Sequence, residues 1–252
     1  MLRGLKPLSG YKVLARDGEI GKVHDFLFDE HRWTIRYLVV DTGKWISGRR
    51  VLISPEVVGE PQEEKQGIPV RLTREQVRSS PGIDMDLPLT RRRQRDLHRY
   101  YGWSSYWAGE EDAVLSLSPP TESPPPEQRG TGPSTEPPNE EQRVSLWSTR
   151  EVIGYHLRAA DGEIGHVDDF IAGDTDWIIR YMAVDTRNWL PGKRVLIVPE
   201  WIVSINRHDR KVLVNISREY VKHSPRYDPS VPLSREYEVR FYDYYKWPKY
   251  WI

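Results

Sequence analysis

Histidines and carboxylates are the residues that could do chemistry here, and their spacing decides whether they do. His24, His31, His98, His156, His166, His208 and His223 are the seven imidazoles. None falls in His-x-His or His-Glu-x-x-His spacing, and no carboxylate-rich calcium loop is present. The chain has no cysteine, which removes disulfides, thiolate metal sites and cysteine nucleophiles and fits a reducing compartment. Gly18-x-x-Gly21 does not lead from a strand into a helix with a following Lys-Ser/Thr, so it is not a phosphate loop. No serine stands in a Gly-x-Ser-x-Gly context. The expectation is therefore no catalytic residue, no cofactor-binding residue, no metal ligand set and no enzymatic activity.

Two other groups of residues point to binding. Arg91, Arg92, Arg93 and Arg95 form the strongest basic run, followed by His98, Tyr100, Tyr101 and Trp103. Arginine beside aromatics is one signature of RNA binding. Charge runs are more often a solvated helix face, and that is the preferred reading. The second group is two aromatic tails, Trp103, Tyr106, Trp107 and Trp247, Tyr250, Trp251. They are candidate anchors for a protein partner, since Trp and Tyr are enriched at binding hot spots. The preferred reading is structural, with the tails folding back over their own domain or the other one to bury apolar area.

The aromatic tail recurs because the chain repeats itself, whereas the basic run is replaced in the second copy by Arg235-Glu236-Tyr237-Glu238. Gly10-Tyr11 returns as Gly154-Tyr155, Asp17-Gly18-Glu19-Ile20-Gly21 as Asp161-Gly162-Glu163-Ile164-Gly165, and Arg50-Val51-Leu52-Ile53 as Arg194-Val195-Leu196-Ile197. The offset of 144 holds without a gap from residue 10 to 107, with about 40 of about 98 positions identical. A unit this long is a duplicated domain rather than a solenoid repeat. Across it no histidine faces another: His24 faces Asp168 and His166 faces Lys22. The shared carboxylates have plain structural roles. Asp17 and Asp161 are turn residues, and Asp25 and Asp169 are expected to pair across strands with Arg36 and Arg180. The division is 1–109, 110–142 and 143–252, two domains and a linker. Eight prolines lie between Pro119 and Pro138, so the linker is read as semi-extended.

Within each copy, Asp-Gly makes a hairpin turn. The next strand alternates Trp33, Ile35, Tyr37 and Val39 with Thr34, Arg36, Leu38 and Val40. Arg50–Ile53 is a short strand stopped by Pro55, and Val57-Val58 with Ile68–Leu72 forms a last hairpin. Thr73 and Ser217 cap short helices, Thr73 with Gln76 at capping-box spacing, and Thr90 and Ser234 cap helices over 91–101 and 235–245. Five or six short strands at close spacing suggest a small closed barrel.

This order of motifs resembles the PRC-barrel family, named for the cytoplasmic domain of the photosynthetic reaction centre H subunit. The residues that carry it are Gly-Tyr, Asp-Gly-Glu-Ile-Gly-x-Val-x-Asp, Trp-x-Ile-Arg-Tyr-x-x-Val-Asp-Thr, Arg-Val-Leu-Ile-x-Pro and the Tyr-Tyr-x-Trp-x-x-Tyr-Trp tail, in both copies. The resemblance implies a mainly β fold: two small antiparallel barrels, each followed by short C-terminal helices and an aromatic tail. It implies no catalytic motif. It also suggests work in stress physiology or membrane-complex assembly, with a ribosome-maturation-type RNA factor as the alternative.

Composition fits that reading. Net charge is zero, 37 basic against 37 acidic residues, and 38% of residues are hydrophobic. No run approaches the roughly 20 apolar residues of a spanning helix, and no secretory signal is seen; a cytoplasmic location is expected. Copy one carries +3 (17 basic, 14 acidic) and copy two +1 (15 and 14), against −6 (3 and 9) over 108–153. That weak footprint argues against nucleic acid. The expected partner is a protein, and the two copies are expected to pack as an intramolecular pseudo-dimer through the aromatic tails, or to form a homo-oligomer.

Overall fold

The structure, a computed structural model, describes residues 1–46, 48–81, 89–107, 146–187 and 192–251. The Pro-rich segment 110–142 lies outside the described residues. The chain forms two compact units: Met1–Arg78 with Ser145–Ile252, and Ser79–Val144.

The larger unit is mainly β, with two sheets and a few short helices. In copy one, β1 (Leu2–Gly4) and α1 (Leu5–Leu8) lead into β2 (Lys12–Ala15), β3 (Gly18–Asp29), β4 (Thr34–Asp41), β5 (Arg50–Ile53), β6 (Gly67–Pro69) and α2 (Arg74–Arg78). The smaller unit holds α3 (Arg91–Tyr101). Copy two runs β7 (Leu146–Ser148), α4 (Thr149–Val152), β8 (His156–Ala159), β9 (Gly162–Gly173), β10 (Ile179–Asp185), β11 (Arg194–Ile197), β12 (Ile202–Asn206), β13 (Lys211–Val214), α5 (Arg218–His223) and α6 (Arg235–Tyr245). The sheet orders are β5-β4-β3-β2-β6 and β11-β10-β9-β8-β13-β12. All pairs are antiparallel except β2 with β6 and β8 with β13, which are parallel. The mainly β character expected from the sequence is present; among the described residues the strand ladders run along these two paths, and no ladder closing either one into a barrel is seen.

The capping signals hold. Thr90 and Ser234 hydroxyls accept from the amides of Arg93 and Tyr237 at the starts of α3 and α6. Thr73 and Gln76 cap each other reciprocally. The last hairpin of copy one is shorter than expected. It reduces to β6 and an isolated Val58–Val70 bridge, where copy two keeps the β12–β13 ladder. Gly59 and Pro69 stand where copy two has Val203 and Leu213, and Gly and Pro weaken a strand.

The alternation in β4 also fails after Tyr37: Leu38, Val39 and Val40 are all buried. The ends of β3 and β9 show why. β2 pairs only with the first part of β3, up to Lys22, and β8 only with β9 up to His166. The free edges at the far ends are filled by the other copy. β1 pairs antiparallel with β9, Leu2 opposite Gly173 through Gly4 opposite Ile171. β7 pairs with β3 in the matching register, Leu146 opposite Asp29 through Ser148 opposite Leu27. The two copies have traded leading strands, and the trade covers edges that would otherwise offer unpaired backbone.

Where the copies meet, Ile35 N–H donates to the Trp177 carbonyl (2.9 Å) and Ile179 N–H to the Trp33 carbonyl (2.7 Å). Trp33 and Trp177 both sit at positive φ, 50° and 55°. That conformation costs an L-residue about 1–2 kcal/mol. Its recurrence in both copies marks it as part of the joint. Phe28 stacks near Trp33 and Phe170 (5.4 and 5.3 Å between ring centroids), and Phe26 near Trp177 at 6.0 Å. The buried rings Phe26, Phe28, Phe170 and Trp177 each contribute about 1.5–3 kcal/mol through removal of apolar surface from water.

Candidate functional site

Asp25 and Asp169 do not make the expected pairs with Arg36 and Arg180. Arg36 donates to Asp29, the last residue of β3, at 2.9 Å, and Arg180 pairs with Asp176 in the turn between β9 and β10. Asp25 instead receives the leading segment of copy two. It accepts from the Ser148 hydroxyl, from the Thr149 hydroxyl at 2.9 Å and from the Arg150 amide at 3.1 Å. Asp169 holds the leading segment of copy one, accepting from the Lys6 amide at 2.8 Å, while Lys6 Nζ reaches Asp168 at 2.8 Å. The two anchors differ. Gly4 and Leu5 stand where copy two has Ser148 and Thr149, so these two positions offer Asp169 no hydroxyl. A Cβ at Gly4 would lie 2.4 Å from Asp169 Oδ2. Burial with so few donors pushes the Asp169 carboxyl up to about 6.

Each aromatic tail packs against the helix that precedes it. The joint is made of exchanged strands and their ring contacts. In the smaller unit, the Arg91 guanidinium lies over Trp107 (4.6 Å) and Tyr106 (5.8 Å), and the Tyr106 hydroxyl donates to Gln94 at 2.7 Å. In copy two, Arg235 lies over Trp251 (4.1 Å) and Tyr250 (5.8 Å), and the Tyr250 hydroxyl donates to Glu238 at 2.9 Å. Cation–π contacts of this kind contribute about 0.5–2 kcal/mol each. Arg91 and Arg235 are repeat partners, and their shared work is to clamp the tail. Arg91, Arg93 and Arg95 are half-buried, and only Arg92 of the four is exposed.

Burial separates the tails. Trp103 and Trp107 are buried, with Trp103 stacked 4.1 Å from Tyr101. Trp247 and Tyr250 are 40% and 38% exposed, and Trp251 is half-buried. Trp247 touches Trp201 only edge-on, at 6.0 Å. Copy two carries further exposed apolar side chains: Val203 at 66%, Tyr220 at 59% and Leu213 at 40%. Their repeat partners in copy one are Gly59, Gln76 and Pro69. Val203 and Leu213 lie on paired strands, and the Tyr244 hydroxyl donates to the Tyr220 carbonyl at 2.9 Å. Sequence reading named the tails but missed these residues, because exposure on a strand or helix is set by packing that the sequence does not display.

A groove of about 540 Å³ also lies between the copies, lined by Glu30, Arg32, Trp33, Arg180, Glu200 and Tyr250 among others. Arg180 is held there by Asp176 and by stacking 4.4 Å from Tyr250.

The strand order and anchors of copy one can now be set against known families. Residues 3–77 match the family model of the PRC-barrel domain. The PRC-barrel match begins inside β1, the strand that pairs with copy two, and ends inside α2. A comparison with curated proteins finds no match. No helix among the described residues is long and apolar enough to cross a membrane.

Proposed function

We propose that this chain is a non-enzymatic adaptor built from two PRC-barrel-type copies joined as a pseudo-dimer, and that it docks a protein partner on copy two. The observation that carries this reading is a set of apolar side chains exposed in copy two at positions where copy one has none exposed. Val203, Leu213, Tyr220 and Trp247 are exposed where copy one has Gly59, Pro69, Gln76 and a buried Trp103. Scattered surface apolar residues are ordinary, but a group absent from the sister copy has diverged on a common scaffold. The exchanged strands hold the scaffold fixed, which spares a partner the cost of ordering it. Stress physiology or membrane-complex assembly is the setting that the reaction-centre H-subunit resemblance suggests. An RNA-binding role is less favoured, since three of the four arginines of the run are half-buried.

The test is cross-linking of the tagged intact protein in a lysate of its native cell, alongside a Val203→Ser/Leu213→Ser/Tyr220→Ser/Trp247→Ser variant. The adaptor reading predicts one specific protein partner, lost in the variant. A second reading, a small-ligand site in the inter-copy groove, is favoured by the groove's size and mixed charged and aromatic lining. Native mass spectrometry showing a co-purifying metabolite and no protein partner would decide for it.

A further inference from the structure

One cluster of potential ligands lies outside everything described above. His156, Glu163 and His166 each offer a ligand atom, and all three atoms lie within 4.8 Å of one another. His156 on β8 is directly opposite His166 on β9. Glu163 is three residues before His166, which in a regular strand would place it on the other face. A bulge intervenes. Leu157 pairs with Gly165 and Arg158 with Glu163, so one extra residue is accommodated between them and Glu163 returns to the face of the histidines. Gly165 makes this possible. Its φ is +159°, and a Cβ there would lie 2.1 Å from the Asp185 carbonyl oxygen.

Copy one has the same bulge at Gly21, with φ +150° and the same 2.1 Å approach, there to the Asp41 carbonyl. The residues at the three ligand positions are Lys12, Glu19 and Lys22, and Lys12 pairs with Glu19 at 3.2 Å. Lysine ammonium groups have no lone pair to give a metal, so copy one can build only an ion pair. In copy two both lysines are histidines and the glutamate is kept. One backbone shape thus carries an ion pair in copy one and an imidazole–carboxylate–imidazole set in copy two.

From this geometry we infer that His156, Glu163 and His166 bind a divalent transition metal ion of the zinc class. Two imidazoles and one carboxylate suit zinc, and imidazole equally suits copper and nickel. The His156 Nδ1 to Glu163 hydrogen bond is the contact that must open. A tetrahedral ion with bonds of about 2.0 Å holds its ligands about 3.3 Å apart. His156 and Glu163 are roughly half-exposed, at 47% and 54%, so small side-chain rotations reach that spacing without moving the strands. Three protein ligands on an exposed hairpin leave the fourth position to water or an outside ligand, the form of an open site rather than a caged one. With no cysteine in the chain, no thiolate competes for the ion.

The test is titration of the intact protein with zinc at pH 7.5, followed by calorimetry and by imidazole NMR signals. One ion per chain should bind, with shifts at His156 and His166 and none at the other five histidines. His156→Lys/His166→Lys installs the residues that copy one carries at the same bulge, so the fold is retained and loss of binding reads the ligands. Affinity should fall at least about 10-fold, the low end of what losing a mere supporting group costs. Absence of a one-to-one site, shifts at other histidines, or equal zinc affinity in the double variant would each overturn the inference.

Discussion

The Thr149 hydroxyl donates a 2.9 Å hydrogen bond to Asp25, 124 residues earlier in the chain and in the other copy. With Ser148 and the Arg150 amide it ties the leading segment of copy two to the sheet of copy one. Asp25→Ala leaves these donors without an acceptor in a site where the carboxylate is only 7% exposed. Unsatisfied buried polar groups cost about 1–3 kcal/mol each, so a loss of about 3 kcal/mol is expected. Urea unfolding should show a lower midpoint at unchanged slope.

Asp169 supplies a pH signature. Its folded-state pKa of about 6 lies above the ordinary 3.8. The raised value means the folded state holds the proton more tightly, so this group's contribution is full below pH 3.8 and is lost as pH rises through 6. The change amounts to at most about 3 kcal/mol at 1.36 kcal/mol per pKa unit. Asp29, Asp168 and Asp174 are lowered by their cationic partners and oppose it. The wild-type minus Asp169→Asn difference in stability isolates the group. That difference should fall between pH 4 and 7 and be flat above.

Gly165→Ala and Gly21→Ala should each cost about 2 kcal/mol or more, by forcing a Cβ onto a backbone carbonyl at positive φ. Gly154→Ala serves as a control, since nothing lies within 4 Å of its added Cβ and only its positive φ opposes the change. Comparative denaturation of the three variants separates the steric from the conformational cost.

Much of this architecture was legible in the residues. The capped helices at 91–101 and 235–245 coincide with α3 and α6, because Thr90 and Ser234 fix where the helical hydrogen bonding starts. The 144-residue offset is matched by two sheets whose corresponding strands run in the same order. The partners of Asp25 and Asp169 were not legible, because a strand records its alternation and not which edge another strand fills. The failed alternation at Leu38 and Val40 was the trace of a covered second face, and it read as ordinary hydrophobicity. The His156–Glu163–His166 set escaped for a related reason. Its ligands come from two strands and a bulge, and no linear spacing rule contains the bulge.

Arg235→Ala should free the tail of copy two. It removes the stacking on Trp251 and the 2.9 Å ion pair with buried Glu238. Breaking the stacking alone costs about 0.5–2 kcal/mol. Limited proteolysis should cut within 246–251 faster in the variant, with the sheet of copy two intact by circular dichroism.

The exchange of leading strands is tested most directly by hydrogen–deuterium exchange on a chain lacking residues 1–9. The predicted result is faster uptake at Ile171–Gly173 of copy two, whose β1 partner is gone, with Leu27–Asp29 of copy one still protected by β7. Faster uptake confined to copy one, with Ile171–Gly173 unchanged, would contradict the exchange.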